Sequence, residues 1–476
     1  MKSRILICMT AITLFVALAI PVRFAGQDQQ EQNMRHHYFV FNLGTLGGTS
    51  SAGNTINDLG WAMGIANLSG NTAGHATLWA YGAKLDLGTL GGLNSAVDWP
   101  VKNDRGEIAG IAETSTIDPL GENWSCSAFF PTAPTHHICL GFVWHFGLMT
   151  PLSGVEGNNS GSASVKSQSP GMMIPLPTLG GNNGYASGVN NLGQVVGWAE
   201  NTVHDPTCVS PQVLQFEAVI YGPEKDQIRE LQPLPGDPDG AATAINDKGQ
   251  VVGISGICQN AVGELSAEHA LLWQNEPPTD LGNLGGAGWN TPTGINNHGQ
   301  IVGFSDLPGD DKGQNPNFHA FLWTKEGGIQ DLGTLPGDTI SEATGINDQG
   351  QVVGVSCVDI SFSNCRAFLW QNDVMTDLNT LIPPGSPLYL ISTGDINDYG
   401  EITGQACVLS NGACSSETPA FLAIPRHDGD SSEAASSAEP VGGNPVPKVI
   451  LPENVRQTLL RRLGLGYPGA GPVKPQ

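Results

Sequence analysis

Clustered carboxylates are the residues of this sequence that are best suited to bind a cation. The densest group is the segment Asp-Leu-Pro-Gly-Asp-Asp, which supplies Asp306, Asp310 and Asp311. Carboxylate oxygens are the ligands that Ca²⁺ prefers, so we predict that this segment contacts a cation. A second candidate is the pair Asp98 and Lys102, because a lysine held beside a carboxylate is a common feature of functional sites. We predict no resident cofactor; calcium is the one ion that these residues would favour.

Recognisable catalytic motifs are missing from the sequence. It contains no Gly-x-Ser-x-Gly, no His-Glu-x-x-His, no phosphate-binding glycine loop with Lys and no dinucleotide-binding fingerprint. We therefore predict no catalytic residues. The other carboxylates between the apolar segments are expected to be solvated, among them Glu113, Asp118, Glu122, Glu200 and Asp205.

The N-terminus and the cysteines together indicate export. Residues 1–25 resemble a signal peptide, with Lys2 and Arg4 before an uncharged apolar run and small residues after it. Residues 26–37 are interpreted as a linker. Eight cysteines follow residue 25, and an even number in an exported chain predicts disulfides. Zinc binding by His136, His137 and Cys139 is the competing interpretation, but the spacing matches no usual structural zinc site, so we predict no metal site.

Charge restricts the classes of partner. The chain has 20 basic and 44 acidic residues, a net charge of −24, which argues against nucleic acid and anionic lipid as partners. We expect an extracellular or periplasmic protein with no membrane span once the signal peptide is removed. The 63 glycines and the low charged fraction of 13% favour short strands and tight turns over helices.

Three short motifs recur seven times along the chain. One is Ile-Asn-x-x-Gly-Gln-Val-Val-Gly, another is Asp-Leu-Gly-Thr-Leu-Gly-Gly, and the third is an apolar segment such as His-Ala-Phe-Leu-Trp at 319–323. Recurrence of this kind indicates a repeat architecture. Together the motifs resemble the HAF repeat of extracellular bacterial proteins, over about residues 39–423. The resemblance implies export and a repeated β architecture, and it implies no activity or catalytic residues.

Each repeat is predicted to form four short strands. Strand a ends in Gly-Ile-Asn, strand b is Gln-Val-Val-Gly, strand c is His-Ala-Phe-Leu-Trp and strand d is Asp-Leu-Gly-Thr-Leu. The Asn-Asp-x-Gly between strands a and b is typical of a hairpin turn. A ring of calcium ligands built from these turns is disfavoured, because one carboxylate per turn supplies too few oxygens.

Seven such units predict an all-β, seven-bladed β-propeller over residues 38–425. A β-solenoid is the alternative, and residues 149–154 are a candidate for the start of a partial eighth unit. The chain opens with a d-type strand and ends with a c-type strand. We therefore expect the N-terminal strand to complete the last blade, which would remove the open edge of a linear array.

The connections between strands b and c vary most in length and contain all eight remaining cysteines. Their grouping predicts the pairs Cys126–Cys139, Cys208–Cys258, Cys357–Cys365 and Cys407–Cys414. Variable loops on a rigid scaffold commonly carry binding residues. We predict a secreted, non-catalytic binding module with an unknown extracellular ligand, a glycan or a protein. The alternative is an enzyme, a hydrolase or lyase, that acts on extracellular polysaccharide.

Composition changes after the last repeat. Residues 426–476 are rich in Ser, Ala, Gly and Pro, which predicts a disordered tail. A short helix is the interpretation for residues 449–465, with Val455, Leu459, Leu460 and Leu463 on one face. We expect a passive extension, and docking to a cell-surface partner is the alternative.

Overall fold

Seven separate antiparallel sheets form the seven blades of a β-propeller, which confirms the predicted fold class. The computed structural model describes residues 38–99, 103–122, 130, 135–146, 171–222, 227–258, 266–274, 277–309, 317–426, 449–453, 455–456 and 459. The predicted signal peptide, the linker at 26–37 and the segment 149–154 lie outside the described residues. Among the residues that the structure describes, no helix is long and apolar enough to cross a membrane.

The chain enters the ring through β1 (Tyr38–Gly44), and six blades of four consecutive strands follow. Blade 1 contains β2 (Gly47–Ile56), β3 (Ala62–Leu68), β4 (Gly74–Ala80) and β5 (Ala83–Asp86). Blade 2 contains β6 (Gly91–Ala96), β7 (Glu107–Ile117), β8 (His137–Phe146) and β9 (Gly171–Pro175). Blade 3 contains β10 (Gly184–Val189), β11 (Val195–His204), β12 (Leu214–Tyr221) and β13 (Ile228–Leu231).

The second half of the ring repeats this order. Blade 4 contains β14 (Asp239–Ile245), β15 (Val251–Gly256), β16 (His269–Trp273) and β17 (Thr279–Asp280). Blade 5 contains β18 (Thr291–Ile295), β19 (Ile301–Asp306), β20 (Phe318–Thr324) and β21 (Gly328–Gly333). Blade 6 contains β22 (Ile340–Ile346), β23 (Val352–Cys357), β24 (Cys365–Gln371) and β25 (Val374–Asp377). Blade 7 contains β26 (Leu388–Ile396), β27 (Ile402–Ser410), β28 (Ala413–Cys414) and β29 (Ala420–Pro425). Two 3₁₀ turns lie at Ser69–Asn71 and Leu378–Thr380.

The N-terminal strand closes the ring. In blade 7 the strand order is β26, β27, β29 and then β1, so the first strand of the chain pairs with the last. Tyr38 lies opposite Pro425 and Asn42 lies opposite Phe421. Tyr38 is buried, and its main-chain N donates to Leu381 O at 2.9 Å. The predicted closure is therefore confirmed.

The outermost strand of blade 1 differs in position from the prediction. Strand β5 ends at Asp86, and the Leu-Gly-Thr-Leu that follows runs as the connection to the next blade. The carboxylate of Asp86 accepts from Gly88 N at 2.8 Å, and Gly88 adopts a φ of 78°, so the chain turns there. Leu87 is then buried inside the blade. The predicted strand d was placed several residues too late in this blade, whereas in blade 5 β21 includes the Asp-Leu-Gly of the motif.

Apolar side chains from neighbouring blades form the core. In one cluster Val302 and Leu322 of blade 5 pack with Ile346 and Phe368 of blade 6. The tryptophans that end strand c are buried, as expected: Trp79, Trp144, Trp273, Trp323 and Trp370. The Val-Val-Gly motif requires glycine for a steric reason. A Cβ on Gly197 would lie 1.9 Å from Tyr185 O, at the bulge in β10.

Candidate functional site

The propeller has two faces with different construction. We call the face that carries the a–b turns the turn face, and the face that carries the b–c and d–a connections the loop face. A belt of hydrogen bonds joins all seven blades on the turn face. Each repeated Asn donates from Nδ2 to the main-chain oxygen of the corresponding Asn in the next blade, at 2.8–3.0 Å. The donors are Asn57, Asn103, Asn190, Asn246, Asn296, Asn347 and Asn397.

A second ring lies beside this belt. The residue after each Asn donates its main-chain N–H to the side-chain oxygen of the equivalent residue in the next blade, at 2.7–3.0 Å. Its members are Asp58, Asp104, Asn191, Asp247, Asn297, Asp348 and Asp398. Both rings close on themselves, because Asn397 and Asp398 of blade 7 bond to residues of blade 1.

The acidic members of this ring surround a cavity of about 70 Å³ at the mouth of the channel. Ile245, Ile295 and Ile346 also line the cavity. Over the described part of the chain, no three His, Cys, Asp or Glu side chains are placed to hold one metal ion. The ring oxygens accept main-chain N–H groups, and we assign them to blade alignment.

Three predicted disulfides are present on the loop face. Cys208–Cys258 joins the b–c loops of blades 3 and 4, whereas Cys357–Cys365 and Cys407–Cys414 each close one loop. Cys126 lies outside the described residues, so the pair Cys126–Cys139 stays a prediction. The b–c loops of blades 3, 4, 6 and 7 are thus covalently fixed.

The two described candidates among the predicted binding residues lie far apart in the ring. Asp306 ends β19 in blade 5, is fully buried, and accepts from Asn317 N at 2.9 Å. Asp98 follows β6 in blade 2, is half-buried, and accepts from Asn54 Nδ2 of blade 1 at 3.1 Å. The structure does not bring them together. The other three, Lys102, Asp310 and Asp311, lie outside the described residues.

The carboxylates expected to be solvated are buried instead. Glu113, Asp118, Glu122, Glu200 and Asp205 are each at most 9% exposed. Glu200 shows the reason, since its Oε2 accepts from Asn182 N at 3.1 Å and from Asn183 N at 2.8 Å. This carboxylate therefore replaces water as the acceptor for a d–a connection.

The position of these glutamates within the repeat already indicated that they are buried. Glu113 and Glu200 occupy the position three residues after the strand b Gly, where blades 6 and 7 have the buried Cys357 and Cys407. Glu113 likewise accepts from Leu93 N and Asn94 N, at 2.9 and 3.0 Å. Alignment of the seven units by that Gly would have indicated a buried role.

Glu122 connects the loops of blades 2 and 3, and its charge acts on Glu200 of blade 3. Glu122 Oε1 accepts from Val213 N at 2.8 Å and from Leu214 N at 2.6 Å. Burial raises the pKa of Glu200 to about 8, and the nearby charge of Glu122 adds to this effect. Burial also raises the pKa of Glu122. Both side chains are fully buried, so a substrate reaches neither of them in this conformation.

The histidines of the His-Ala-Phe motif pair with carboxylates. His75 Nδ1 lies 2.8 Å from Asp86 of the adjacent strand β5, and His319 Nδ1 lies 3.0 Å from Asp331 of β21. Burial acts to raise the pKa of Asp86, but hydrogen bonds from His75 and from Gly88 N lower it below its ordinary value. The His and the Asp of the two repeated motifs therefore join strand c to strand d.

A segment near the C-terminus lies on the loop face. Val449, Leu451, Val455 and Leu459 are buried in one apolar cluster with residues of blades 5, 6 and 7. Glu453, Val455, Arg456 and Leu459 have helical backbone, within the range predicted as a helix. These described residues pack against the ring and do not form a passive extension. Sequence analysis missed this contact, although the apolar face of the segment was visible.

Comparisons with known proteins gave matches among solved structures alone. No family model matches it, and no curated protein matches its sequence. Among solved structures it is similar to Pyrococcus horikoshii acylaminoacyl peptidase, with a TM-score of 0.44 and 8% identity over 81% of this chain and 53% of that one. This chain thus spans about half the length of that peptidase.

Two further solved structures that match are a polysaccharide lyase and a sialidase. A polysaccharide lyase described as an ulvan lyase matches with a TM-score of 0.35 and 8% identity, over 83% of this chain and 97% of that one. Trypanosoma rangeli sialidase in complex with the inhibitor DANA matches with a TM-score of 0.34 and 9% identity, over 72% of this chain and 55% of that one.

Proposed function

We propose that this protein is a secreted, non-catalytic binding module that recognises an extracellular glycan or protein through its loop face. The observation that carries the proposal is a set of exposed apolar side chains on loops that are held rigid. Ile117 and Val203 lie at the loop-face ends of β7 and β11, Leu120 and Val209 lie on the b–c loops that follow these strands, and all four are 41–57% exposed. Apolar groups displayed on a fixed surface favour a binding role.

The rigidity of these loops comes from the contacts beneath them. The Cys208–Cys258 disulfide joins the loop of blade 3 to that of blade 4, and Glu122 of the blade 2 loop caps two N–H groups of the blade 3 loop. A surface that is ordered before binding loses less conformational entropy when a ligand binds. The resemblance of the repeats to the HAF repeat of extracellular proteins also supports the proposal.

The test is a screen of the secreted chain against an array of glycans and a panel of extracellular proteins, with turnover measured for every ligand found. We expect binding without turnover, weakened at least tenfold by Ile117→Ala combined with Val209→Ala. Leu192→Ala is the matched control, because Leu192 is 54% exposed on the turn face. Turnover of a polysaccharide would favour the enzymatic alternative. Equal loss of affinity in both variants would contradict a loop-face site.

A further inference from the structure

A groove on the loop face of blades 5–7 holds a peptide segment of the same chain. Trp289, Phe362 and Tyr389 form its apolar floor, together with the Cys357–Cys365 disulfide and Cys407. The described residues between 449 and 459 lie on this floor, and Val449, Leu451, Val455 and Leu459 are at most 5% exposed.

One loop makes the polar contacts to this segment. Leu451 N donates to Ser363 O at 2.9 Å, and Asn364 Nδ2 donates to Val449 O at 2.9 Å. Arg456 Nε donates to Ser361 O at 3.0 Å. Two of these bonds use main-chain groups of the segment, which is how a surface recognises an extended peptide whatever its side chains are. The loop is closed by the Cys357–Cys365 disulfide, so its carbonyls are held in position before the segment binds.

The buried positions define a sequence pattern. Val449 and Leu451 are buried while Ile450 between them is 79% exposed, as in an extended strand. Leu451, Val455 and Leu459 then recur every four residues, which matches one face of the helical turn that follows. The groove therefore selects apolar residues at the first, third, seventh and eleventh positions of a segment.

The segment is tethered to the ring. Residues 427–448 separate it from Arg426, which follows the last strand, a tether of 22 residues. Residues 449–459 contain one acidic and one basic side chain, Glu453 and Arg456, which pair with each other at 3.0 Å. Apolar packing and the hydrogen bonds to the loop therefore hold the segment on the groove.

We propose that this groove is a peptide-binding site for amphipathic segments of extracellular proteins that have apolar residues in this pattern, and that residues 449–459 are its resident occupant, which a partner must displace. The proposal deepens the proposed binding function and rests on it. A short tether gives the resident segment a roughly millimolar effective concentration. A partner segment therefore binds only when its own affinity overcomes that competition.

The test measures binding of a fluorescein-labelled peptide of residues 447–462 by anisotropy. The full secreted chain is compared with a full-length double variant, Leu451→Asp with Val455→Asp, whose own segment no longer fits the apolar floor. We expect the double variant to bind the peptide at least tenfold more tightly than the wild type. Ile450→Asp is the matched control, because Ile450 points to solvent, and it should behave as the wild type. Equal affinity of the wild type and a folded double variant would overturn the proposal.

A second measurement leaves the groove and its occupant unchanged. A site-specific protease sequence placed within residues 435–440 allows the tether to be cut in the folded protein. We expect the released fragment to co-elute with the ring at micromolar concentration and to be exchanged by the labelled peptide, but not by a peptide with the Leu451→Asp and Val455→Asp changes. Release of the fragment without binding of the labelled peptide would overturn the proposal. Loss of array binding in Ile117→Ala with Val209→Ala tests the general function separately, since those residues lie on blades 2 and 3.

Discussion

Asn347 shows why each a–b turn requires asparagine. Its Oδ1 accepts from Gln349 N at 3.1 Å and Gln351 N at 2.9 Å, which forms the turn within blade 6. Its Nδ2 donates to Asn397 O in blade 7 at 3.0 Å. Only a side chain with an acceptor and a donor on one short stem makes both contacts. Aspartate would keep the turn and lose the link between blades.

Asn347→Ala is therefore expected to destabilise the ring by about 2–3 kcal/mol, because it leaves buried main-chain groups without partners. Urea unfolding followed by tryptophan fluorescence measures the change. Gln330→Ala is the control, since Gln330 is exposed on the outermost strand of blade 5. A loss below 0.5 kcal/mol, about that of an ordinary surface change, would contradict the role of the asparagine belt.

The buried Glu200 makes stability depend on pH. Its pKa of about 8 in the folded chain lies above the ordinary value of 4.5, so the folded state binds more protons than the unfolded state between these values. The contribution of Glu200 to stability is therefore fully present below its ordinary pKa and is lost as the pH rises from about 4.5 to about 8. Burial raises the pKa of Glu217 and of Asp239 to about 8 as well, which adds to the same trend.

Glu200→Gln removes one of these titrations while keeping the shape of the side chain. We expect the variant to be more stable than the wild type at pH 8, by about 1 kcal/mol or more since one pKa unit corresponds to about 1.4 kcal/mol. The two proteins should differ little at pH 5. Thermal melts across this range measure the effect, with the exposed Glu326→Gln as control. An unchanged pH profile would show that Glu200 does not titrate in this window.

At the scale of elements, closure of the ring depends on β1, because this strand completes the last blade with residues from the opposite end of the chain. It pairs with β29 over six residue pairs, and Tyr38 fills the apolar cluster of blade 7. Deletion of residues 38–46 would expose the edge of β29 and an apolar cavity beneath it. Exposed edge strands associate with other chains.

We expect this deletion to lower the melting temperature by several degrees and to produce dimers or aggregates in size-exclusion chromatography. Deletion of residues 26–37, which keeps β1, is the matched control for shortening the N-terminus. A monomer that melts at the wild-type temperature would contradict closure by this strand.

At the scale of the whole molecule, the acidic side chains repel one another. Residues 38–426 carry 37 acidic and 11 basic side chains, so the compact ring concentrates negative charge. We expect the melting temperature to rise when NaCl is increased from about 20 mM to 500 mM, where the screening length falls to a few ångströms. Sucrose at equal osmolality is the control. A falling melting temperature would show that favourable ion pairs outweigh this repulsion.

The number of blades, the closure by β1 and the pairing of Cys208, Cys357 and Cys407 were all predictable from the sequence. These features follow from repetition, because each unit contains its own turn residues and alternating apolar positions. The repeated Asn was correctly interpreted as a turn former, since an Asx turn is a local interaction between neighbours in the chain.

Which polar side chains act between units became clear only from the folded ring. Glu122 and Asn347 complete their hydrogen bonds with residues of other blades, and no local pattern specifies such partners. The C-terminal segment shows the same limit, because its apolar face is visible in the sequence whereas Trp289, Phe362 and Tyr389 converge from three blades to receive it. These contacts between blades arise from the closed ring as a whole, and the spacing of residues along one repeat does not specify them.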